Sequence, residues 1–340
     1  MTDLASMQET ARAIVAPGKG ILAADESSGT IKKRFDSIGV ESTEQNRRNY
    51  REMLFRADVS DAVSGVILFD ETIRQKAADG TPLVELLQQQ GIIPGIKVDD
   101  GAKDLAGAPG EKVTEGLDGL RERLEEYRGV GARFAKWRAV INIGAGIPSR
   151  YCLQANAHAL GRYAALCQEA GLVPIVEPEV MMEGDHTIER SYEATEATLR
   201  AVYEQLYEQR VELTGTLLKP NMVLSGYDCP TQASVDEVAD ATLRCLRATV
   251  PAAVPGIVFL SGGQSDEAAT AHLNAINQRG PHPWELSFSY GRALQAPALT
   301  AWKGDSANLP AAQTAYAHRA RMNRAARFGD YTAEMEQQGV

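Results

Sequence analysis

The chain lacks the features that would place it in several broad classes of protein. Only four of its 340 residues are cysteine, and none forms a Cys-x-x-Cys pair. In a chain of this length such spacing indicates reduced, buried thiols of a cytoplasmic protein. The N-terminus has no basic segment followed by an apolar one, which argues against a signal peptide. No apolar run approaches the roughly 20 residues that span a bilayer, so we expect no membrane segment.

Positive charge and histidine clusters are also scarce. The formal net charge is −10, and the five histidines are scattered without HxxxH or HxH spacing. A net negative chain argues against nucleic acid as a partner, because nonspecific binding to phosphates needs a basic surface. The histidine spacing gives no metal-ligand pattern, so we expect neither a metal nor another cofactor. An anionic substrate would have to be held by locally placed cations.

Short apolar runs recur along the chain, each followed by a loop and an amphipathic stretch. Nearly continuous apolar runs are typical of parallel strands that are buried on both faces. Eight such repeats predict a single (β/α)8 TIM barrel of the α/β class, and an open doubly wound sheet is the alternative. The predicted strands are residues 20–25, 65–70, 94–99, 134–143, 173–179, 215–220, 256–263 and 284–291.

No Pro/Gly/Ser-rich linker divides the chain. We therefore predict one domain over residues 1–340, with a short N-terminal helix and a C-terminal helix and tail from about residue 309. Apolar residues three or four positions apart predict a long helix over 188–206. Capping boxes, which mark helix starts, are predicted at Ser234 with Glu237 and at Ser42 with Gln45.

Polar side chains interrupt the ends of the apolar runs. In a TIM barrel the C-terminal ends of the strands meet at the active-site face. Residues two apart on a strand point the same way, so Lys136 with Arg138, and Glu177 with Glu179, should present paired groups. The other polar residues at these ends are Asp25, Lys97, Asp99, Lys219, Ser261, Ser289 and Arg292.

Lys219 follows an apolar run and is a candidate nucleophile. Burial favours a neutral amine, as do neighbouring cations such as Lys97, Lys136 and Arg138. A neutral amine is what Schiff-base chemistry requires. A snorkelling or structurally paired lysine is the alternative interpretation. Lys97 and Lys136 are rival nucleophiles on the same argument.

Acid–base groups and phosphate-binding loops are the other candidates. Carboxylates shifted by their neighbours can transfer protons, although Glu177, Glu179 and Asp25 could equally serve to neutralise the lysines. Glycine-bearing loops expose backbone N–H groups to phosphate, and an arginine adds a bidentate cation. Ordinary turns are the alternative for each of them. The candidate loops are Ser261-Gly262-Gly263, Tyr290-Gly291-Arg292 and Ser27-Ser28-Gly29-Thr30, the last with Lys33 and Arg34 close behind it.

Six stretches resemble class I fructose-bisphosphate aldolases closely. They occur in the family's order and span nearly the whole chain: GKGILAADES (18–27), FAKWR (134–138), VPIVEPE (173–179), GTLLKPNM (215–222), FLSGGQS (259–265) and FSYGRALQ (288–295). The resemblance implies a cytoplasmic homotetramer that reversibly cleaves fructose 1,6-bisphosphate to dihydroxyacetone phosphate and glyceraldehyde 3-phosphate in glycolysis and gluconeogenesis. It also implies a lysine Schiff base in place of a metal.

The resemblance also implies a role for each matching residue. Lys219 resembles the Schiff-base lysine, Asp25 the acid that assists carbon–carbon cleavage, and Glu177 the proton shuttle. Glu179 and Lys136 resemble electrostatic partners of that shuttle. Lys97, Arg138 and Ser289 resemble residues that contact the substrate. The residues that resemble the 1-phosphate site are Ser261, Gly262, Gly291 and Arg292. Those that resemble the 6-phosphate site are Ser27 and Thr30, beside Lys97.

The C-terminus departs from the family pattern. Many eukaryotic members end in a tyrosine that assists proton exchange at the enamine. This chain ends in Val340, and its last tyrosine is Tyr331. The tyrosine's role is therefore assigned to no residue here.

Overall fold

Eight parallel strands close into a barrel in the computed structural model, which describes residues 4–337. The barrel order is β1-β10-β9-β8-β7-β6-β3-β2, and a separate antiparallel pair is formed by β4 and β5. The strands are β1 (Gly20–Ala24), β2 (Val63–Leu68), β3 (Ile93–Lys97), β4 (Ala102–Asp104), β5 (Lys112–Thr114), β6 (Phe134–Ile141), β7 (Val173–Val180), β8 (Leu217–Leu218), β9 (Gly256–Phe259) and β10 (Glu285–Tyr290).

The predicted (β/α)8 barrel is confirmed, and the open-sheet alternative is wrong because β1 pairs with both β2 and β10. Several predicted strands run too far at their C-terminal ends. Residues 219–220 and 260–263 were predicted as strand ends but lie in loops, because ladder pairing stops at Leu218 and Phe259. The β4–β5 pair was not predicted, since two strands of three residues, the first of them exposed, leave no buried apolar run to detect.

Helices follow or connect the strands. They are α1 (Leu4–Ile14), α2 (Ser28–Asp36), α3 (Glu44–Phe55), α4 (Asp70–Arg74), α5 (Leu83–Gln89), α6 (Leu120–Gly129), α7 (Arg150–Glu169), α8 (Ile188–Glu208), α9 (Val235–Thr249), α10 (Asp266–Asn277), α11 (Arg292–Trp302) and α12 (Leu309–Phe328). The predicted N-terminal, central and C-terminal helices correspond to α1, α8 and α12. None of the described helices has the length and apolarity to cross a membrane. The last three residues of the predicted tail, 338–340, lie outside the described residues.

One of the two predicted capping boxes is present. Ser234 and Glu237 form the reciprocal pair at the start of α9. The box predicted at Ser42 is wrong by one residue, because the Thr43 hydroxyl accepts the hydrogen bond that begins α3. The Ser42 carbonyl instead accepts a 2.7 Å hydrogen bond from Arg47.

The barrel interior is packed at the end opposite the predicted site. Inward residues of the strands, including Ile21 and Phe134, form one apolar cluster with Met7 and Ile14 of α1. Helix α1 therefore closes the N-terminal end of the barrel. Gly95 is required here, because a Cβ atom at this position would collide with the Phe134 ring. All four cysteines are free and buried, as predicted.

Candidate active site

The residues predicted for the site all line one cavity of about 780 Å³ at the C-terminal ends of the strands. Parallel strands present their C-terminal ends on one face of the barrel, which brings together positions far apart in sequence. The predicted residues in the cavity wall are Asp25, Ser27, Thr30, Lys97, Lys136, Arg138, Glu177, Glu179, Lys219, Ser261, Gly262, Ser289, Gly291 and Arg292. Within residues 4–337, no three His, Cys, Asp or Glu side chains are grouped so that they could hold a metal ion.

Strand alternation directs the charged side chains of β6 into the barrel. Lys136 and Arg138 line the cavity, while Trp137 between them points outward and packs against Tyr163 of α7 with ring centroids 5.6 Å apart. Arg138 pairs in register with Glu177 of β7. Paired charges therefore face the cavity from adjacent strands.

A chain of ion pairs joins the buried lysines and carboxylates. Lys136 Nζ lies 2.6 Å from Asp25 Oδ2 and 3.4 Å from Glu177 Oε2. The other oxygen of Glu177 lies 3.2 Å from Lys219 Nζ. Glu177 thus bridges two lysines, and the Lys136 and Lys219 side chains are only 4% and 5% exposed. Such proximity allows protons to pass between Glu177 and Lys219.

Mutual attraction keeps Lys136 and Asp25 charged. Burial disfavours the charged form of Lys136, but the carboxylates of Asp25, Glu177 and Asp99 outweigh it and raise the pKa of its ammonium group. Burial likewise opposes ionisation of Asp25, but Lys136 and Lys219 hold its pKa below the usual range. A protonated lysine has no lone pair to attack a carbonyl, so a raised pKa counts against Lys136 as the nucleophile.

Glu179 occupies a different electrostatic setting from Glu177. Its ion-pair partner is Arg138, whose Nε donates to it. Burial, reinforced by repulsion from Glu177, outweighs the attraction of Arg138 and raises the pKa of Glu179. The two glutamates of β7 are therefore not equivalent.

Lys97 is held by Asp99, which the sequence placed at a strand end without a role. Lys97 Nζ lies 2.8 Å from the Asp99 carboxylate and also donates to the Asp99 carbonyl. The same carboxylate accepts the backbone N–H groups of Gly101 at 3.1 Å and Arg138 at 3.2 Å. Asp99 lines the cavity and fixes the Lys97 side chain.

Two glycine-bearing loops form another part of the cavity wall. Gly262 adopts a left-handed conformation with φ of +56°, and Arg292 donates to its carbonyl. Gly291 precedes α11, so backbone N–H groups at the start of this helix are directed toward the cavity end of the barrel. Such N–H groups and the guanidinium of Arg292 suit a phosphate group.

Glu26 and Arg34 line the cavity as well. The sequence placed Arg34 beside a candidate phosphate loop but gave Glu26 no role. Glu26 is buried and pairs with Arg34 of α2 and with Arg51 of α3, whose Nη2 lies 2.8 Å away. Gln295 donates to Glu26 Oε1 at 2.9 Å. Arg34 follows a candidate phosphate loop, which was the one available signal. The other partners are too distant in sequence for any local pattern to join them.

Removal of the buried Arg51 guanidinium provides a test of this network. Arg51 also donates to Thr72 at 2.6 Å and is 2% exposed. We expect Arg51→Met to lower the free energy of unfolding in urea by about 3 kcal/mol, because it leaves the buried Glu26 carboxylate undercompensated. Arg56→Met, at the C-cap of the same helix, is the matched control, since this residue is 38% exposed and its ion pairs contribute at most about 1 kcal/mol. Equal losses in both variants would contradict the account.

Comparison with known proteins assigns the chain to a family. A family model described as fructose-bisphosphate aldolase class-I matches residues 6–340. The "Probable fructose-bisphosphate aldolase class 1" of Xanthomonas campestris is 63% identical over 96% of this chain and 98% of its own length. Fructose-bisphosphate aldolase C of Rattus norvegicus is 54% identical over 96% of this chain and 90% of its own length.

A solved structure agrees with these relatives. Fructose-bisphosphate aldolase of Plasmodium falciparum, solved with TRAP and a small-molecule inhibitor, is 49% identical. It superposes with a TM-score of 0.96 over 97% of this chain and 96% of that one. The sequence resemblance and the closed barrel agree with these comparisons, and the chain belongs to the class I fructose-bisphosphate aldolase family.

Proposed function

We propose that Lys219 is the Schiff-base nucleophile with which this aldolase cleaves fructose 1,6-bisphosphate. The observation that carries the proposal is the position of Lys219 Nζ, buried in the cavity wall and 3.2 Å from Glu177 Oε1. Of the rival lysines, Lys136 is kept protonated by two carboxylates. Lys97 is engaged by the carboxylate and the carbonyl of Asp99.

The first half of the reaction forms the iminium ion. The neutral amine of Lys219 attacks the ketone at carbon 2, giving a carbinolamine. Glu177 donates a proton to the carbinolamine hydroxyl, and water leaves. The resulting iminium cation is the electron sink for the next step. Lys136 lies between Asp25 and Glu177. Together with Glu179, it provides the electrostatic setting in which Glu177 exchanges protons.

The second half breaks the bond between carbons 3 and 4. Asp25, whose pKa is held low by the adjacent lysines, is the carboxylate that takes the proton of the carbon 4 hydroxyl. The bonding electrons move to the iminium to form an enamine, and glyceraldehyde 3-phosphate leaves. Protonation at carbon 3 and hydrolysis then release dihydroxyacetone phosphate and return Lys219 to the free amine. The reverse sequence is the condensation.

Substrate binding is assigned to the remaining residues of the cavity. The two glycine loops with Ser261 and Arg292 hold the 1-phosphate, whereas Ser27 and Thr30, whose hydroxyls lie 3.2 Å apart, hold the 6-phosphate with Lys97. Arg138 and Ser289 contact the sugar. The Ser289 hydroxyl is buried and has no hydrogen-bond partner among the described residues, which favours a partner supplied by the substrate.

We further propose a cytoplasmic enzyme that forms a homo-oligomer, a tetramer by family resemblance. We also infer that the chain is a single domain. Support comes from the C-terminal helix α12, whose Tyr316 and Ala320 share a continuous apolar cluster with Leu22 of β1. The cytoplasmic location is supported by the four cysteines of the chain, which are free and buried and therefore suit a reducing compartment.

A substrate comparison tests the proposal. We expect the purified protein to form triose phosphates from fructose 1,6-bisphosphate at a rate that EDTA does not change. We expect kcat/KM for fructose 1-phosphate to be at least about tenfold lower, because the charge-assisted hydrogen bonds to the 6-phosphate are lost. Loss of activity in EDTA, or preference for the monophosphate, would contradict the proposal.

A further inference from the structure

The glycine turn after β9 is supported by two side chains that the reaction scheme does not use. A Cβ atom added at Gly262 would lie 2.6 Å from Met182 Sδ, and one added at Gly263 would lie 2.6 Å from Tyr227 Cζ. Both separations are far below van der Waals contact. The thioether and the phenol ring therefore lie directly against the backbone of the turn, on the sides that a larger residue would occupy.

Met182 and Tyr227 are fixed to each other as well as to the turn. The Tyr227 hydroxyl donates to Met182 Sδ at 3.1 Å, and the Tyr227 N–H donates to the Met182 carbonyl at 3.0 Å. The loops that follow β7 and β8 are further joined by the N–H of Asp228, which donates to the Gly184 carbonyl at 2.9 Å. Met182 is 4% exposed, whereas Tyr227 is 40% exposed. The pair forms one support that the two loops provide together.

The opposite side of the turn is held by hydrogen bonds. The Ser261 carbonyl accepts from Gln264 Nε2 at 3.2 Å, and the Gly262 carbonyl accepts from Arg292. In a planar trans peptide the N–H points away from the C=O of the same unit. The Gly262 N–H is thus directed away from buried Gln264, and it meets no acceptor among residues 4–337. It is free to bind an anion in the cavity that Gly262 lines.

We propose that Tyr227 and Met182 are positioning residues that set the affinity of the Gly262 turn for the phosphate of the ketose half of the substrate. The inference rests on the proposed function and names how one of its subsites is preorganised. A turn held from behind loses little conformational freedom when the phosphate binds, so its affinity is higher than that of a mobile glycine turn. The Lys219 and Glu177 chemistry does not depend on this support.

Substitution of Tyr227 separates positioning from chemistry. We expect Tyr227→Ala to raise KM for fructose 1,6-bisphosphate about tenfold while kcat stays within about twofold, because an interaction used only for binding is lost. Tyr227→Phe retains the ring against Gly263 and is expected to restore KM to within about threefold of the wild-type value. Tyr207→Ala, at a tyrosine 82% exposed on α8, is the matched control and should leave both constants unchanged.

A second measurement distinguishes phosphate positioning from general damage. Borohydride trapping is carried out with dihydroxyacetone phosphate and with dihydroxyacetone, which lacks the phosphate. In Tyr227→Ala the half-saturating concentration of the phosphate ester should rise about tenfold, and that of dihydroxyacetone should not change. An equal rise for both ligands, or an unchanged KM for the bisphosphate, overturns the inference. A wild-type protein that does not cleave the bisphosphate overturns the proposed function itself.

Gly263→Ala provides a second test that does not require Tyr227→Ala to fold, and the two substitutions together form a double-mutant cycle. Gly263→Ala places a methyl group against the Tyr227 ring and should raise KM without changing kcat. In the Tyr227→Ala background the same methyl group has room, so we expect it to add nothing. Additive effects of the two substitutions would show that the turn and the ring are not coupled and would overturn the inference.

Discussion

Replacing Lys219 by arginine is expected to lower kcat for fructose 1,6-bisphosphate cleavage on the order of 10⁴-fold or more, as removal of a covalent nucleophile does elsewhere. Arginine keeps a positive charge beside Glu177, but its guanidinium stays protonated and cannot form the imine. The measurement is steady-state formation of triose phosphates. Loss of the nucleophile, not loss of charge, is thereby tested.

The control for this variant is Lys32→Arg. Lys32 pairs with Asp36 on the surface of α2, with its side chain 62% exposed, and its replacement should leave kcat unchanged. Circular dichroism should show that both variants keep the wild-type fold. If Lys219→Arg kept more than about 1% of wild-type kcat, another residue would have to form the covalent intermediate.

Replacing Asp25 by asparagine is expected to lower kcat about 10²- to 10⁴-fold, because an amide cannot take the proton of the carbon 4 hydroxyl. Schiff-base formation should persist, since it depends on Lys219 and Glu177, which remain 3.2 Å apart in the same cavity. Lowered cleavage together with persisting Schiff-base formation would separate the two halves of the mechanism. It is measured as steady-state cleavage alongside borohydride trapping with dihydroxyacetone phosphate.

Asp240→Asn is the matched control for Asp25→Asn, because Asp240 is 72% exposed on α9 and its ion pair with Arg279 lies at the surface. It should leave kcat and trapping unchanged. If Asp25→Asn abolished trapping as well as cleavage, Asp25 would be acting in iminium formation and the assigned division of roles would be wrong. Retained cleavage would remove Asp25 from the mechanism.

The barrel could be predicted because its strands are buried on both faces and so appear as apolar runs. The strand lengths were overestimated, as at β8, where the predicted strand covers residues 215–220 but the ladder ends at Leu218. Burial governs composition, whereas pairing register governs where a strand stops. The β4–β5 hairpin left no apolar signal because Ala102–Asp104 is exposed.

The charged part of the site could be predicted because lysine and glutamate in buried strands are rare without a partner or a function. Pairings between residues of distant elements could not be predicted from the sequence. Glu26 meets Arg51 across 25 positions and Gln295 across 269, and Tyr227 meets Met182 across 45. The residues alone also left three lysines as candidate nucleophiles. The contacts of Lys136 distinguish it from Lys219, and they exist only in the folded chain.

The central claim is that Lys219 forms the Schiff base, and covalent trapping tests it most directly. The wild-type protein is reduced with borohydride in the presence of dihydroxyacetone phosphate, digested, and mapped by peptide mass spectrometry. The account predicts one stable adduct, on the peptide that contains Lys219. An adduct on Lys97 or Lys136, or enzymatic cleavage with no trapped lysine, would contradict it.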